Sequence, residues 1–189
     1  SGGKYDPKFL KSEIESALKE SGLKYSKSDN ISKETAFLLS QNKVIGFFQG
    51  RMEYGPRALG NRTILYPATD PEVNKWLNNR LKRTEFMPFA PVTLYERAED
   101  CYLDLGKNKF AAEFMTVTLP VTEYMKKNMP AAVHVDGTAR PQLIKEETNY
   151  TYYNVLKEYE KLTGLPSLIN TSFNMHEEPI VCTPKERSE

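Results

Sequence analysis

Gly50-Arg51-Met52-Glu53-Tyr54-Gly55-Pro56-Arg57-Ala58-Leu59-Gly60-Asn61-Arg62 stands between two apolar runs, Val44–Phe48 and Thr63–Tyr66. Each run has the composition of a strand, so the stretch reads as a loop joining two strands. It carries three arginines and three glycines within thirteen residues. Glycines let backbone approach a ligand closely, and guanidinium forks suit phosphate and carboxylate. Two readings stand beside each other: an anion-binding loop, and a surface loop whose arginines pair with Glu53 and neighbouring carboxylates.

The whole chain of 189 residues has room for one substantial domain. Lys+Arg 26 against Asp+Glu 25 leaves almost no net charge, so bulk electrostatics favour neither nucleic acid nor an anionic membrane. Any anion specificity must then come from local arginine clusters. Cys101 and Cys182 are isolated, with no C-x-x-C spacing, which argues against a zinc ribbon and suits reduced cytosolic thiols. No apolar run is long enough to span a bilayer, and the expected location is the cytoplasm.

Apolar spacing predicts an amphipathic helix over Pro7–Ser21, stopped by Gly22, and a second helix N-capped by Ser32 and running to about Gln41. Residues 1–42 are expected to form a helical or linker segment, and residues 43–189 the main domain. Lys43–Gln49 reads as a strand buried on both faces, and Arg62–Tyr66 as the next strand. Pro71–Leu81 reads as a helix, and Val92–Tyr95, Phe114–Leu119 and Ala131–Val135 as strands. Thr122–Asn128 is a short helix, Gln142–Ile144 is extended, and Asn149–Thr163 has a clear helical period ended by Gly164. Leu165–Asn170 is the last strand. Interleaved strands and helices give an α/β or α+β class with a mixed sheet.

Three further stretches carry chemistry. Lys82-Arg83-Thr84-Glu85 is a basic cluster, best explained by the dipole at a helix C-terminus. His134-Val135-Asp136-Gly137-Thr138-Ala139-Arg140 would place His134 and Asp136 on one face of a strand, either as a structural pair or as part of a polar pocket with Arg140. With His134 and His176 as the only histidines, a dedicated protein metal cage is not expected. Asn170-Thr171-Ser172-Phe173-Asn174 ends a strand in side chains that both donate and accept, a common ligand position in α/β sheets. There is no Walker A loop, no G-x-G-x-x-G and no G-x-S-x-G. The residues alone therefore point to a pocket for a small, phosphate-bearing polar molecule, with the reaction open.

Taken in order, the Gly50–Arg62 loop, Pro88-Phe89-Ala90-Pro91, His134–Arg140, and Asn170–Asn174 followed by Glu178-Pro179-Ile180-Val181 resemble the C-terminal domain of NodU-type O-carbamoyltransferases. The resemblance runs from about Asp29 to the end. Met87 departs from the pattern, since many relatives have arginine before the Pro-Phe-Ala-Pro block. The resemblance implies a YrdC-like fold, an open twisted mixed β-sheet with flanking helices preceded by short N-terminal helices. It also implies ATP and carbamoyl phosphate as substrates, Mg²⁺ accompanying the phosphates, and carbamoyl-adenylate as product. The family's other half, an N-terminal actin-like domain that passes the carbamoyl group to a hydroxyl, is matched nowhere in this chain. Implied catalytic roles fall on Arg57, His134, Asn170 and Ser172. Implied substrate or phosphate contacts add Arg51, Glu53, Asn61, Arg62, Lys82, Arg83, Asp136, Arg140 and Asn174. A non-catalytic nucleotide-binding or regulatory module of the same fold is the alternative, and RNA binding is disfavoured by the neutral charge.

Overall fold

The two apolar runs that flank the arginine loop pair with each other. In a computed structural model, which describes residues 7–82, 89–175 and 177–184 (7–10 as backbone only), they form an antiparallel hairpin. Strand β1, Ile45–Phe48, lies along β2, Arg62–Pro67, with Phe48 opposite Arg62. The remaining strands are β3 (Ala90–Leu94), β4 (Leu119–Pro120), β5 (Thr138–Ala139), β6 (Gln142–Ile144) and β7 (Ser167–Ser172). Five of them make one sheet in the order β1-β2-β7-β3-β6. All pairings in it are antiparallel except β3 with β6. Strands β4 and β5 form a separate two-stranded ladder.

Helices cover both faces. They are α1 (Pro7–Ser21), α2 (Ile31–Ser40), α3 (Val73–Arg80), α4 (Ala98–Cys101), α5 (Lys109–Ala112), α6 (Glu123–Asn128) and α7 (Tyr150–Thr163). The period of two along β2 sends Leu65 to one face and Ile64 and Tyr66 to the other. Leu65 joins Phe47, Val92, Leu94, Ile144 and Leu168 against Ala36 and Leu39 of α2 and Tyr152, Val155, Leu156 and Tyr159 of α7. Ile64 and Tyr66 join Leu143 and Ile169 against Val73 and Leu77 of α3 and the methionines Met125 and Met129. The expected mixed sheet with flanking helices is the fold observed. Ala36 and Leu39 share one cluster with Phe47, so α2 packs with the sheet across the boundary at residue 42.

Several local expectations are corrected. Strand β1 is an edge strand, with only Phe47 fully buried, whereas its neighbour β2, paired on both sides, is buried throughout. Helix α2 is capped by Asn30, whose side chain accepts from the Lys33 amide, while Ser32 donates to the Thr151 carbonyl. Phe114–Thr118 is not a strand: Met115 has φ 57, a left-handed turn conformation that a ladder cannot use. Ala131–Val135 is a 3₁₀ turn followed by a bend, so His134 and Asp136 do not share a strand face. Met87 and Arg83 lie outside the described residues.

Candidate active site

A hairpin loop of this length needs an internal reason to hold one shape. Glu53 supplies it. Its Oε1 accepts from the backbone amides of Leu59 (2.7 Å), Asn61 (2.7 Å) and Arg62 (3.3 Å), folding the loop around one carboxylate. Arg62, 3% exposed, closes the root from the other side. Its Nη1 donates to the carbonyls of Gln49, Gly50 and Asn61, and its Nη2 to that of Cys182. Its guanidinium carbon lies 3.6 Å from the Phe48 ring centroid, which adds cation–π attraction. Asn61 completes the root: Nδ2 donates to the Arg51 carbonyl, and Oδ1 accepts from Asn149. The Asn149 side chain also caps α7 and accepts from Gln49 Nε2, so the loop is tied to the helix.

Below the loop a buried polar network spans three strands. Asn170 Nδ2 donates to the Ala58 carbonyl (2.9 Å) and to Gln142 Oε1 (2.7 Å), while its Oδ1 accepts from Thr63 Oγ1 (3.1 Å). Gln142 Nε2 in turn donates to the Leu59 carbonyl, and the Gly60 amide donates to Thr63 Oγ1. Gly60 holds φ 115 over the face of Tyr152, where a Cβ would stand 2.2 Å from the ring. Only glycine fits that approach.

This scaffold holds up the wall of a cleft. Its inner part, about 70 Å³, is bounded by Pro56, Arg57 and Ala58 of the loop, by Phe89 and Ala90, by Met115 and Arg140, and by Asn170–Ser172 at the end of β7. Its outer part, about 590 Å³, shares Pro56, Arg57, Met115 and Arg140 and widens towards Tyr54, Phe114, Thr116 and Thr118. Among the described residues neither lining contains a carboxylate. Burial, and secondarily the charge of Arg57, push the Arg140 guanidinium below its ordinary value. Arg140 Nε is buried with no hydrogen-bond partner among the described residues. Two arginines brought together without an intervening acid form a site that an anion would neutralise.

Beside it, residues 134–138 close a tight turn through the His134 amide and the Thr138 carbonyl (2.7 Å). Asp136 Oδ1 accepts from the Thr138 amide (3.0 Å) and hydroxyl (2.7 Å), and these bonds hold its carboxyl below the ordinary range. His134 Nδ1 lies 3.0 Å from Thr138 Oγ1. Burial lowers the His134 pKa, and nearby Arg140 adds to that against the opposing charge of Asp136.

The family model described as carbamoyltransferase C-terminus matches residues 36–189. The chain belongs to that family. This carbamoyltransferase domain is 37% identical to uncharacterized protein MJ1051 of Methanocaldococcus jannaschii over 92% of its own length and 33% of the relative's. It is 42% identical to nodulation protein U of Sinorhizobium fredii over 76% of its own length and 25% of the relative's. The chain thus spans about a third or less of the relatives it matches. Among solved structures, full-length HypF in its phosphate- and nucleotide-bound form superposes with a TM-score of 0.58 at 20% identity, over 79% of this chain and 21% of HypF. That likeness is one of fold.

Within the carbamoyltransferase domain the structure sorts the predicted site residues. Arg57, Arg140, Asn170 and Ser172 line one cleft. Glu53 Oε1, Asn61 and the Arg62 terminal nitrogens are engaged at the loop root, Asn170 bonds Ala58, Gln142 and Thr63, and Glu53 Oε2 is buried with no hydrogen-bond partner among the described residues. Ser172 donates to Asn174 Oδ1 (2.6 Å), and Asn174 Nδ2 donates to the Glu178 carbonyl, so this pair orders the strand end. Lys82 is exposed after α3 with φ 56 and lines neither part of the cleft; Arg51 is exposed at the loop's start. Sequence reasoning missed Met115 and the Phe114–Thr118 wall, as well as Gln142, Thr63 and Tyr152. Thr63 and Gln142 are polar residues within apolar strands, and that was a readable signal for a buried network.

An apolar cavity of about 240 Å³ lies apart from this cleft, lined by residues of α1 and by Phe48 and Phe173, with no charged group. No helix among the described residues is long and apolar enough to cross a membrane. No group of three or more His, Cys, Asp or Glu among them could hold a metal ion.

Proposed function

We propose that this domain binds ATP and carbamoyl phosphate in the Arg57–Arg140 cleft and forms carbamoyl-adenylate, for O-carbamoylation of a small-molecule hydroxyl by the full-length enzyme. The observation that supports the reading is the pair of arginines facing a cleft that has no carboxylate among the described residues, one of them with a buried Nε lacking a partner among them. Membership of a carbamoyltransferase family supports a carbamoyl donor as the anion. The chemistry runs in two balanced steps. Water splits carbamoyl phosphate to carbamate and inorganic phosphate. A carbamate oxygen then forms a bond to the α-phosphorus of ATP, and the bond from that phosphorus to pyrophosphate breaks.

The protein's part is positioning and charge neutralisation, as in phosphoryl transfer generally. Arg57 and Arg140 offset the charge that builds on the phosphate oxygens. Ser172, at the end of β7, gives its hydroxyl hydrogen to Asn174 Oδ1 and offers the cleft an accepting oxygen. His134, close enough to Arg140 to feel its charge, offers an acceptor for the carbamoyl NH₂, and so does Glu53 Oε2, which is buried with no hydrogen-bond partner among the described residues, whereas Glu53 Oε1 and Asn170 Oδ1 are already committed within the protein. Magnesium travels with the nucleotide and screens its phosphates.

The test is carbamoyl-phosphate-dependent release of pyrophosphate from ATP. Arg57→Ala should weaken carbamoyl phosphate binding roughly tenfold with the fold intact, the loss of a charge-assisted hydrogen bond of about 1.5 kcal/mol. Unchanged affinity would remove the loop from the site. Tight ATP binding with no pyrophosphate in the full-length enzyme would instead support a non-catalytic nucleotide module.

A further inference from the structure

We infer that Thr138 and Asp136 are positioning residues that fix the tautomer of His134, keeping the proton on Nδ1 and presenting Nε2 as an unprotonated acceptor. A hydroxyl has a single hydrogen to give, and an ionised carboxylate has none. Thr138 Oγ1 lies 2.7 Å from Asp136 Oδ1, so its hydrogen is committed to that oxygen. The same oxygen atom of Asp136 also takes the Thr138 amide at 3.0 Å, which holds the carboxylate in place within the turn. Thr138 Oγ1 can then only accept from His134 Nδ1, 3.0 Å away, and an accepting oxygen requires N–H on that nitrogen.

The turn has little freedom to escape this. The backbone bond between the His134 amide and the Thr138 carbonyl, 2.7 Å, keeps the two residues opposite each other. The Gly137 amide, donating to the His134 carbonyl at 2.9 Å, fixes the corner. Thr138 also starts β5, paired with β4, so its hydroxyl is anchored to a ladder. Nε2 makes no hydrogen bond among the described residues, and the ring lies near enough to Arg140 for its charge to be felt. The ring is thereby prepared for a ligand N–H, a donor such as the planar carbamoyl amide, and set against a second hydrogen-bond acceptor.

The tautomer assignment stands on geometry alone; its use towards a carbamoyl NH₂ rests on the proposed function. Both are separable by experiment. The chain has two histidines, so a ¹⁵N-histidine-labelled sample shows two rings, assigned by a His176→Gln variant. At neutral pH the His134 ring is expected to show protonated Nδ1 and unprotonated Nε2. Thr138→Val should move the population towards the Nε2–H form, and Thr138→Ser should restore the wild-type pattern. In the pyrophosphate assay Thr138→Val should lower the rate at least about tenfold, as loss of a residue orienting a functional histidine commonly does, with Thr138→Ser near wild type. A wild-type ring carrying its proton on Nε2 overturns the inference, and that measurement needs no variant. An Nδ1–H ring in a protein that releases no pyrophosphate leaves the tautomer lock standing and removes the carbamoyl-adenylate reading.

Discussion

Arg62 and Arg140 are the same side chain in opposite circumstances. At the loop root, Arg62 is buried and its terminal nitrogens donate to four backbone carbonyls while an aromatic ring covers its plane. At the cleft wall, Arg140 is half-buried, faces Arg57, and has a buried Nε without a partner among the described residues. A buried cation given to carbonyls holds a chain in place; one held beside another cation and left without an acid is suited to hold an anion. The arginine loop therefore combines two regions, a hydrogen-bonded root that sets shape and a rim around Arg57 that offers charge.

The comparison can be broken at the root first. Glu53→Ala strips three part-buried backbone amides of their acceptor, and a buried N–H left without one costs roughly 1–3 kcal/mol. A loss of about 4 kcal/mol is expected in chemical denaturation, a large share of a typical domain's stability. Stability within 1 kcal/mol of wild type would show the loop folds without its carboxylate. Gly60→Ala should follow at about 3 kcal/mol, because the added Cβ meets the Tyr152 ring at 2.2 Å and φ 115 is strained for any other residue.

At the cleft wall the sign of the effect changes. Arg140→Ala should weaken carbamoyl phosphate binding by calorimetry about 30-fold, near 2 kcal/mol, while the melting temperature holds or rises. Arg62→Ala should do the reverse, lowering the melting temperature by several degrees. Equal loss of stability in the two variants would erase the distinction. The smallest effect concerns His134. Its folded pKa is lowered, so between the unfolded value of about 6.5 and the folded one the unfolded state binds more protons. Its contribution to stability is present above that window and is lost as pH falls through it. His134→Gln should flatten the corresponding part of the stability–pH curve, measured against wild type.

How much of this was legible in the residues follows a physical line. The hairpin, α1, α6 and α7 could be read because apolar periodicity and caps are local: Thr122, Asn149 and Gly164 mark helix ends within a few residues of the chain they cap. β1 was read as buried on both faces because an apolar run does not say whether a strand has one neighbour or two. His134 and Asp136 were placed on a strand face, whereas Gly137 at φ 78 turns the chain between them and Thr138. Met115 gave no local sign that a left-handed residue would build a cleft wall there.

Residue type and order were enough to show that an arginine- and glycine-rich loop joins two strands and that a mixed sheet carries helices, and they led to the proposal of an anionic ligand. Those properties depend on composition and short-range spacing. Which arginine is bonded into the loop root and which faces the cleft was decided by the fold. Glu53, Arg62, Asn170 and Gln142 had to be brought together across the chain before their donors and acceptors could be counted. A guanidinium's role is set by what lies within hydrogen-bond distance of it, and three-dimensional packing fixes that distance.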